Sequence, residues 1–366
     1  MTAGRDLYIG LMSGTSLDGV DAALVDFATT PPTVVATHYS PYPGAIRTEA
    51  LSLNSPGSNE LDRAARLSIQ LADLYAAAVL TLLRDAAVAP VDVVAIGCHG
   101  QTIRHRPELG YTIQLVDPSR LAEHTGIRTV ADFRSRDLAA GGQGAPLVPA
   151  FHRTWFGSSM VHRAVLNIGG IANVTRLPIE GPTTGFDTGP GNVLLDHWAQ
   201  ECLGSPIDRD GRFAGGGSVV PALLEAMLED DYFNAAPPKS TGRDHFNAVW
   251  LRSHDIEGLS PADVQATLSA LTARSVATAI ERYCAGVAEV FVCGGGAHNR
   301  DLMGRLARLL QHAALNSTST LGLDPDWVEA VAFAWLARCA VRNETSSLPE
   351  VTGARGARVL GGIYSA

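Results

Sequence analysis

The 366-residue sequence is poor in lysine, in aromatic residues and in blocks of like charge. Lys239 is its only lysine, aromatic residues make up 6% of the chain, and the formal net charge is −9. The absence of any Lys- or Arg-rich block argues against a surface for nucleic acid or for an anionic membrane. We therefore expect no nucleic acid and no membrane as partners.

The sequence also lacks paired cysteines, a leader segment and a long apolar run. Its five cysteines are scattered and never spaced as C-x-x-C, which argues against a disulfide framework or a zinc site. The opening residues, MTAGRDLYIG, carry charge and have no long apolar core, unlike a signal peptide. No apolar run approaches the roughly 20 residues that cross a bilayer. Together these absences predict a cytoplasmic globular protein.

Strand-like and helix-like segments alternate along the chain, which favours an α/β fold. LYIGLMSG and VDAALVDF are predicted to form two strands joined by a turn at Leu17, Asp18 and Gly19. HRAVLNIGGIANVTRL repeats this pattern, and EVFVCGGGAHN again places an apolar strand before a glycine cluster. Two such hairpins predict two related lobes with a cleft between them.

The boundary between these lobes is predicted in the glycine- and proline-rich segment AAGGQGAPLVP, residues 139–149. The N-terminal lobe is then residues 1–140, with the first hairpin. The C-terminal lobe is residues 141–366, with the second hairpin and the late glycine cluster.

The first hairpin matches neither common nucleotide-binding fingerprint. GTSLDG has the glycine spacing of a P-loop, but Val20 and Asp21 follow where Lys and Ser or Thr are required. No G-x-G-x-x-G follows the first strand. What remains is a loop whose backbone amides and the hydroxyls of Ser13, Thr15 and Ser16 can face a phosphate. The local pattern fits an ordinary tight hairpin equally well, and the later glycine clusters favour the phosphate site.

Taken in order, the motifs resemble a known family. The two hairpins and the late G-G-G resemble the superfamily of actin, hexokinase and acetate kinase, which holds ATP between two lobes. Within it, the chain resembles the 1,6-anhydro-N-acetylmuramic acid kinases in the segments MSGTSLDGVD, IGCHGQT, DFR, GGQGAPLVP, NIGGIAN, DTGPGN, PKSTGR and CGGGAHN. The resemblance covers nearly the whole chain and implies a two-lobed actin/hexokinase-like α/β fold with ATP and substrate in the interlobe cleft.

The resemblance implies an ATP-dependent kinase that opens the ring of 1,6-anhydro-N-acetylmuramic acid. The expected product is N-acetylmuramic acid 6-phosphate, which belongs to the recycling of cell-wall sugar. ATP and Mg²⁺ are the implied cofactors, and a homodimer is compatible with the family. A kinase of another hexose or amino sugar is the alternative within enzymes. A nucleotide-gated chaperone or filament protein on the same scaffold is the rival from another class, because fold does not determine function.

The resemblance assigns ATP to the glycine-rich segments. The expected ATP-binding residues are Gly14, Thr15, Ser16, Leu17, Asp18, Gly19, Val20 and Asp21 in the first hairpin, Gly169, Gly170 and Asn173 in the second, and the adenosine-side cluster Gly294, Gly295 and Gly296. The Mg²⁺ ligands stay open, because Met12 and Asn167 occupy positions where the superfamily usually has Asp. Asp18 and Asp21 are the nearest alternative acids.

Asp187 is the first candidate for catalysis. It is predicted to end an apolar strand before TGPGN and a helix, where a carboxylate lies near helix-terminal amides and can act as a general base. By pattern alone, an Asp that caps the helix is an equal alternative. The resemblance implies that Asp187 activates the attacking water.

Three further motifs supply candidates for binding the sugar. His99 and Gln101 follow a strand in GCHGQT and are expected to bond sugar hydroxyls, with a histidine satisfied inside its own loop as an equal alternative. DFRSRD supplies Asp132, Arg134 and Arg136. Surface charge is the default reading of such a run. Because N-acetylmuramic acid carries a lactyl carboxylate, we expect one arginine fork to bind it.

Glu329 and Lys239 are unusual for their surroundings. Glu329 lies in the otherwise apolar WVEAVAFAWLARCAV, where it is expected either in an exposed first helical turn or, as the resemblance implies, in contact with the sugar. Lys239 lies in the polar segment PPKSTGRDHF, which suits a phosphate or carboxylate. An incidental surface lysine is the simpler interpretation of Lys239.

Overall fold

The computed structural model describes residues 4–14 and 16–366 and divides them into two compact units. Unit 1 contains the chain up to Phe151 together with Trp327–Ala366, and unit 2 is His152–Asp326. Both units combine helices with mixed sheets, so the predicted α/β class is confirmed. The structure differs from the predicted division, because it returns residues 327–366 to the first unit.

Unit 1 is built around a mixed sheet with helices on its faces. The strands of the unit before its boundary are β1 (Leu7–Met12), β2 (Gly19–Asp26), β3 (Thr33–Pro41), β4 (Val93–Cys98), β5 (Gln101–Arg106), β6 (Tyr111–Leu115) and β7 (Thr129–Ala131). Strands β5 and β6 pair with each other in a separate two-stranded sheet. The helices before the unit boundary are α1 (Gly44–Ser52), α2 (Glu60–Asp85), α3 (Pro118–Thr125) and α4 (Ser135–Ala139), and α5 (Val148–Phe156) crosses that boundary.

Unit 2 carries its own sheet, and the chain then returns to unit 1. The strands of unit 2 are β8 (Arg163–Ile168), β9 (Ile171–Leu177), β10 (Thr184–Pro190), β11 (Glu289–Cys293) and β12 (Ala314–Ser317). Its helices are α6 (Val193–Leu203), α7 (Arg212–Gly215), α8 (Pro221–Leu228), α9 (Asp231–Asn234), α10 (Ala248–Arg252), α11 (Pro261–Tyr283) and α12 (Arg300–Leu309). The returning segment forms α13 (Val328–Val341), α14 (Pro349–Thr352) and β13 (Gly362–Tyr364).

The two sheets share one pattern of order and direction. In unit 1 the order is β13-β7-β4-β1-β2-β3, with β1, β2 and β3 antiparallel and with β1, β4 and β7 parallel. In unit 2 the order is β10-β9-β8-β11-β12, with β8, β9 and β10 antiparallel and with β8, β11 and β12 parallel. The two predicted glycine-rich hairpins are therefore β1–β2 and β8–β9, and they take the same place in each sheet.

Helix α13 explains why the last segment belongs to unit 1. It packs directly on β1 and β4. A Cβ at Gly10 of β1 would overlap the carbonyl of Ala330, and one at Gly97 of β4 would overlap the carbonyl of Phe333. The two glycines let the helix backbone approach the sheet closely. Glu329, on the first turn of α13, is thereby fixed within unit 1.

Helix α2 is long and apolar enough to cross a membrane by length and composition. The sequence led us to expect no segment long and apolar enough to cross a membrane, and α2 differs from that expectation. Half of its most apolar window is buried in the structure, and its residues Leu67, Leu71, Tyr75 and Val79 belong to the main core of unit 1. Their burial explains the apolar composition of α2 as that of a core helix.

Candidate active site

The loop of the first hairpin differs from the predicted tight turn. Strands β1 and β2 are antiparallel as predicted, with Met12 opposite Asp21, but the connection runs from Ser13 to Asp18 and Gly19 already belongs to β2. Among the loop residues that the structure describes, Leu17 is left-handed, with φ of 57°. Thr15, predicted to contact ATP, lies outside the described residues. The hairpin is confirmed, and its connection is longer than a two-residue Asp-Gly turn.

A chain of hydroxyl groups fixes the start of this loop. Ser13 Oγ donates to Gln101 Oε1 at 2.6 Å, so its only hydrogen is used and Tyr42 Oη must donate to Ser13 Oγ, also at 2.6 Å. Tyr75 Oη then donates to Tyr42 Oη at 2.6 Å, and Gln101 Nε2 donates to the Gly14 carbonyl at 3.2 Å. Burial raises the pKa of Tyr42 to about 12, which keeps it a neutral donor.

Gln101 and Ser13 therefore support the loop from inside the unit. Gln101 is fully buried and Ser13 is almost so. Both amide atoms of Gln101 are occupied by the hairpin and by its own strand. A direct bond from Gln101 to a sugar hydroxyl or from Ser13 to a phosphate would require breaking these contacts. Ser16, by contrast, is exposed and donates from Oγ to Asp18 Oδ1 at 2.6 Å.

His99 is held in one tautomer by Arg134. The Arg134 Nη2 and Nε atoms lie 2.9 and 3.2 Å from His99 Nε2, and a guanidinium can only donate. Nε2 is thus the acceptor, and Nδ1 carries the proton that it donates to the Ser13 carbonyl at 3.3 Å. Burial, and next the charge of Arg134, lower the pKa of His99 to about 3. His99 is a neutral residue satisfied inside its loop, which is the second of its two predicted roles.

Arg134 and Glu329 form the charged part of the site in unit 1. Arg134 Nη1 donates to the Gly144 carbonyl at 2.8 Å, which fixes the guanidinium plane together with His99. Burial lowers the pKa of Arg134 to about 10 and raises that of Glu329, while each charge favours the ionised form of the other. Among the described residues these two make no ion pair within 4.0 Å, and both residues stay partly accessible. The arrangement leaves guanidinium hydrogens for an added carboxylate.

Asp132 and Arg136 lie elsewhere in unit 1. Both are exposed and line a cavity of about 810 Å³ beside Ala340 and Asn343 at the C-terminal end of α13. Glu329 is on the first turn of that helix, which has 14 residues and is therefore about 20 Å long. Arg134, whose charge acts on Glu329, contacts His99, and the His99 ring lies 4.8 Å from that of Phe333 in the first half of the same helix. The geometry favours Arg134 of the two predicted arginines.

Asp187 lies inside a strand and not at its end. Strand β10 continues to Pro190, and its pairing with β9 shifts register between Asp187 and Gly189. Asp187 is directly opposite Asn173, so the two side chains emerge on the same face as neighbours. The prediction of helix-terminal amides around Asp187 is wrong, because helix α6 begins only at Val193.

The Asp187 carboxylate is held by a distant loop and has one free oxygen. Thr241 N–H donates to Asp187 Oδ2 at 3.0 Å. Among the described residues, Oδ1 accepts no hydrogen bond, and the side chain is only partly accessible. Burial raises the pKa of Asp187 to about 6, opposed by the Thr241 bond and by the charge of Lys239. This is a carboxylate that is ionised at neutral pH and more basic than an ordinary Asp.

The glycines of the predicted ATP segments fall into two groups. A Cβ at Gly14, Gly169, Gly170 or Gly295 would have no neighbour closer than 3.6 Å, and none of these glycines has a positive φ. Nothing in the fold therefore requires glycine at these four positions. A group that approaches the backbone closely, such as a phosphate, would require it.

The remaining glycines of these segments are explained by the fold. Gly294 has φ of 77°, and a Cβ there would overlap Asn167. A Cβ at Gly296 would overlap Ile168, and one at Gly19 would overlap the Ser40 carbonyl. In the triple glycine after β11, Gly295 alone lacks a structural reason. It is the informative position for a test of nucleotide binding.

The acids near the first hairpin can supply only some of the ligands that a cation needs. In the described ranges, no three His, Cys, Asp or Glu side chains converge as metal ligands. Asp18 is exposed beside Ser16, and Asp21 lies in β2. Mg²⁺ commonly binds through one or two carboxylates plus phosphate oxygens and waters. The donor set is compatible with that mode and not with an all-protein cage.

The residues that surround Asp187 are not apparent from the sequence patterns. Tyr232 Oη donates to the Asp187 carbonyl at 2.7 Å, and the Asp187 N–H donates to the Lys239 carbonyl at 3.2 Å. Thr241 was recognised only as part of a polar loop. Two sequence signals pointed to this loop, which are the isolated lysine in PPKSTGRDHF and the family segment PKSTGR.

Comparison with known proteins agrees with the motifs. The family model described as AnmK, Anhydro-N-acetylmuramic acid kinase, matches residues 6–366. The chain is 52% identical over 361 residues to the anhydro-N-acetylmuramic acid kinase of Nitrosospira multiformis, covering 98% of this chain and 99% of that protein. It is 55% identical over 365 residues to the protein of the same name from Bordetella parapertussis, covering 98% and 96%.

The solved structures that resemble the chain are more distant. A ROK family glucokinase from Streptomyces griseus in complex with glucose and AMPPNP has a TM-score of 0.45 and 13% identity, covering 91% of this chain and 99% of its own. The activator of the 2-hydroxyisocaproyl-CoA dehydratase from Clostridium difficile with bound ADPNP has a TM-score of 0.46 and 14% identity, covering 92% and 96%. Structural similarity at this level supports no conclusion of its own.

The family match spans residues 6–366, and the relatives are more than half identical over nearly all of the chain. The protein therefore belongs to the anhydro-N-acetylmuramic acid kinase family.

Proposed function

We propose that the protein is an ATP-dependent kinase of 1,6-anhydro-N-acetylmuramic acid that hydrolyses the anhydro bond and phosphorylates the freed 6-oxygen. Family membership supplies the substrate and the reaction class. The observation that carries the chemistry is the Asp187 carboxylate, which has one oxygen held by Thr241 and the other free of protein partners in the described chain. The products are N-acetylmuramic acid 6-phosphate and ADP.

Asp187 is the general base of this reaction. Its Oδ1 accepts a proton from water, and the water oxygen forms the new bond to the anomeric carbon. The bond between that carbon and the 6-oxygen breaks, and the 6-oxygen attacks the γ-phosphorus of ATP as ADP leaves. A carboxyl with a pKa of about 6 is better matched to this task near neutral pH than one at the ordinary Asp value of 3.8.

Arg134 is the residue that binds the lactyl carboxylate of the sugar. Its guanidinium is oriented by His99 and by the Gly144 carbonyl, so little side-chain entropy is lost when a carboxylate binds. Glu329, whose charge acts on Arg134, accepts hydrogen bonds from sugar hydroxyl or amide groups in this proposal. Asp132 and Arg136 are left out of this contact because they line a separate cavity.

ATP binds through backbone amides at the glycines that the fold does not require, which are Gly14, Gly169, Gly170 and Gly295. Asn173 stands beside Asp187 in the sheet of unit 2. Asp18 and Asp21 are the acids that would hold Mg²⁺, and the bound ion would neutralise charge on the phosphates. Backbone amides and a cation that stabilise the transferred phosphoryl group are the usual source of catalysis in such transfers.

The reaction assigns the protein to the recycling of cell-wall sugar in the cytoplasm, with ATP and an amino sugar as its small-molecule partners. A panel of sugars assayed for ADP release tests the proposal. The panel pairs 1,6-anhydro-N-acetylmuramic acid with 1,6-anhydro-N-acetylglucosamine, and each with its ring-opened form. We expect the anhydro-muramic sugar to have the highest kcat/KM. A higher value for a ring-opened sugar would favour the alternative, a kinase of another amino sugar or hexose.

A further inference from the structure

The only lysine of the chain contacts a residue that touches Asp187. Lys239 is one lysine among 28 basic residues, and it is half-buried. Its Nζ donates to the Tyr232 carbonyl at 2.9 Å and lies 4.6 Å from the centroid of the Tyr232 ring. A compact ammonium can make both contacts at once, whereas the wider planar guanidinium of Arg presents its donors in a fixed fork.

Lys239, Tyr232 and Asp187 form a closed set of contacts. Tyr232 Oη donates to the Asp187 carbonyl, and the Asp187 N–H donates to the Lys239 carbonyl. Two residues after Lys239, the Thr241 N–H donates to Asp187 Oδ2. The backbone of Asp187 is thus held on both sides, and its carboxylate is oriented by the segment that follows Lys239.

Tyr232 is itself anchored in an aromatic cluster. Its ring makes edge contacts with Phe233, His245 and Phe246, with centroids 6.1, 5.9 and 5.7 Å away. Phe246 is fully buried. Because this cluster fixes the ring, the bond from Lys239 Nζ to the Tyr232 carbonyl ties the 239–241 segment to a rigid base.

Lys239 acts on the carboxylate by charge without direct contact. Among the described residues, Lys239 and Asp187 make no ion pair within 4.0 Å, and the Lys239 charge lowers the pKa of Asp187 against the larger effect of burial. The charged groups that act on Lys239 are Asp187 from β10 and Arg282 from α11. Asp187 Oδ1 therefore stays free for water while a positive charge favours the ionised carboxylate.

We infer that Lys239 is the positioning residue of Asp187, holding its backbone through Tyr232 and its side chain through the amide of Thr241. This inference rests on the proposed role of Asp187 as the base. It assigns a role to a lysine that the sequence alone left as incidental.

The single lysine allows the coupling to be measured without an activity assay. Protein labelled with ¹³C at lysine Cε gives one lysine signal, which is followed by NMR from pH 4.5 to 8. We expect an inflection near pH 6, the pKa of Asp187, in the wild type and its absence in Asp187→Asn. His245→Gln and Asp231→Asn, which change an imidazole in contact with the Tyr232 ring and an exposed acid of α9, should keep it. A flat wild-type signal, or an inflection that survives in Asp187→Asn, would overturn the inference.

Kinetics of Lys239→Met and Lys239→Arg provide the second readout. For Lys239→Met we expect kcat to fall about 10- to 100-fold and the acid limb of kcat/KM to move up by about half a pH unit or more, because the nearby positive charge is lost. Lys239→Arg keeps the charge and should return the acid limb to its wild-type position. Arg209→Met, at an exposed arginine of the same unit, is the matched control and should behave as wild type.

The outcomes separate this inference from the proposed function. Normal kcat and an unmoved acid limb in Lys239→Met would show Lys239 to be incidental while leaving the kinase intact. If the wild type has no activity on the anhydro sugar, the proposed function is contradicted. The NMR titration would still report whether Lys239 and Asp187 are coupled. If Lys239→Met does not fold, the NMR titrations of the wild type and of Asp187→Asn still test whether Lys239 and Asp187 are coupled.

Discussion

The guanidinium of Arg134 donates to Nε2 of His99 across 2.9 Å. This contact makes His99 a neutral acceptor whose other nitrogen donates to the Ser13 carbonyl. It therefore connects a residue of the proposed sugar site to the loop of the first hairpin within unit 1. The sequence predicted His99 as a sugar ligand or as a histidine satisfied inside its loop. In the structure His99 orients the guanidinium of Arg134.

The two arginines of DFRSRD should behave differently on substitution. Arg134→Ala should weaken binding of the anhydro-muramic sugar by roughly 1.5–3 kcal/mol, the value of a hydrogen bond to a charged group. It should change the affinity for the corresponding sugar without a lactyl group much less. Arg136→Ala is the matched control and should bind both sugars normally, because its side chain lines another cavity. Calorimetric titration of both variants with both sugars measures this. Equal losses for the two sugars in Arg134→Ala would remove Arg134 from the lactyl contact.

The pH profile should report Asp187 and not His99. Because the pKa of Asp187 is raised to about 6, kcat/KM should fall as the pH drops through 6 and the base becomes protonated. His99, with a pKa of about 3, stays neutral over this range. His99→Gln keeps an acceptor for Arg134 and should leave the acid limb in place. A limb that moves or disappears in His99→Gln would assign it to the histidine.

Substitution of two adjacent glycines, Gly295 and Gly296, should have different effects on ATP binding and on stability. Gly295→Ala adds a Cβ that the fold can accommodate, so we expect a normally folded protein with ATP affinity reduced about tenfold or more, if a phosphate or ribose contacts that backbone. Gly296→Ala should destabilise the protein itself, because its Cβ overlaps Ile168. Thermal unfolding with and without ATP distinguishes the two effects. Unchanged ATP affinity in a folded Gly295→Ala variant would exclude nucleotide from this segment.

Asp187 should reduce the stability of the unit that contains it. Its pKa is raised on folding from 3.8 to about 6, so the folded state favours the protonated carboxyl. The stability linked to this group is fully present below pH 3.8 and is lost as the pH rises through 6. Asp187→Asn should therefore be more stable than the wild type at pH 8, by on the order of 1–3 kcal/mol, and the difference should vanish near pH 3.5–4. Denaturant unfolding at both pH values measures it, and a less stable Asn variant at pH 8 would contradict the burial of this charge.

Local patterns predicted the elements well and their distant contacts poorly. Helix α2 (Glu60–Asp85) has the regular apolar spacing that predicts a helix. Both hairpins were also predictable from apolar runs that flank glycines. The bonds that define the site join residues far apart in sequence, such as Thr241 to Asp187, 54 residues away. No periodicity encodes such a pair.

The errors in prediction have physical causes of the same kind. Asp187 was placed at a strand end because Gly189 and Pro190 usually stop a strand, but pairing with β9 carries β10 past a shift in register. Residues 327–366 were assigned to the second lobe by proximity in sequence, while Gly10 and Gly97 accept helix α13 on the first sheet. The family resemblance supplied the role of Asp187, which charge and spacing alone left open.

The central claim is that Asp187 deprotonates the water that opens the anhydro ring, and the fate of heavy oxygen tests it most directly. Turnover in ¹⁸O-water by the wild type and by Asp187→Asn is followed by mass spectrometry of the product sugar and of its phosphate. We predict that the wild type places the label on the anomeric oxygen and none on the phosphate. The rate of labelling in Asp187→Asn should fall by a factor on the order of 10²–10⁴, the usual contribution of a positioned base, while ATP and sugar still bind. Label in the phosphate, or near-normal labelling by the Asn variant, would contradict the account.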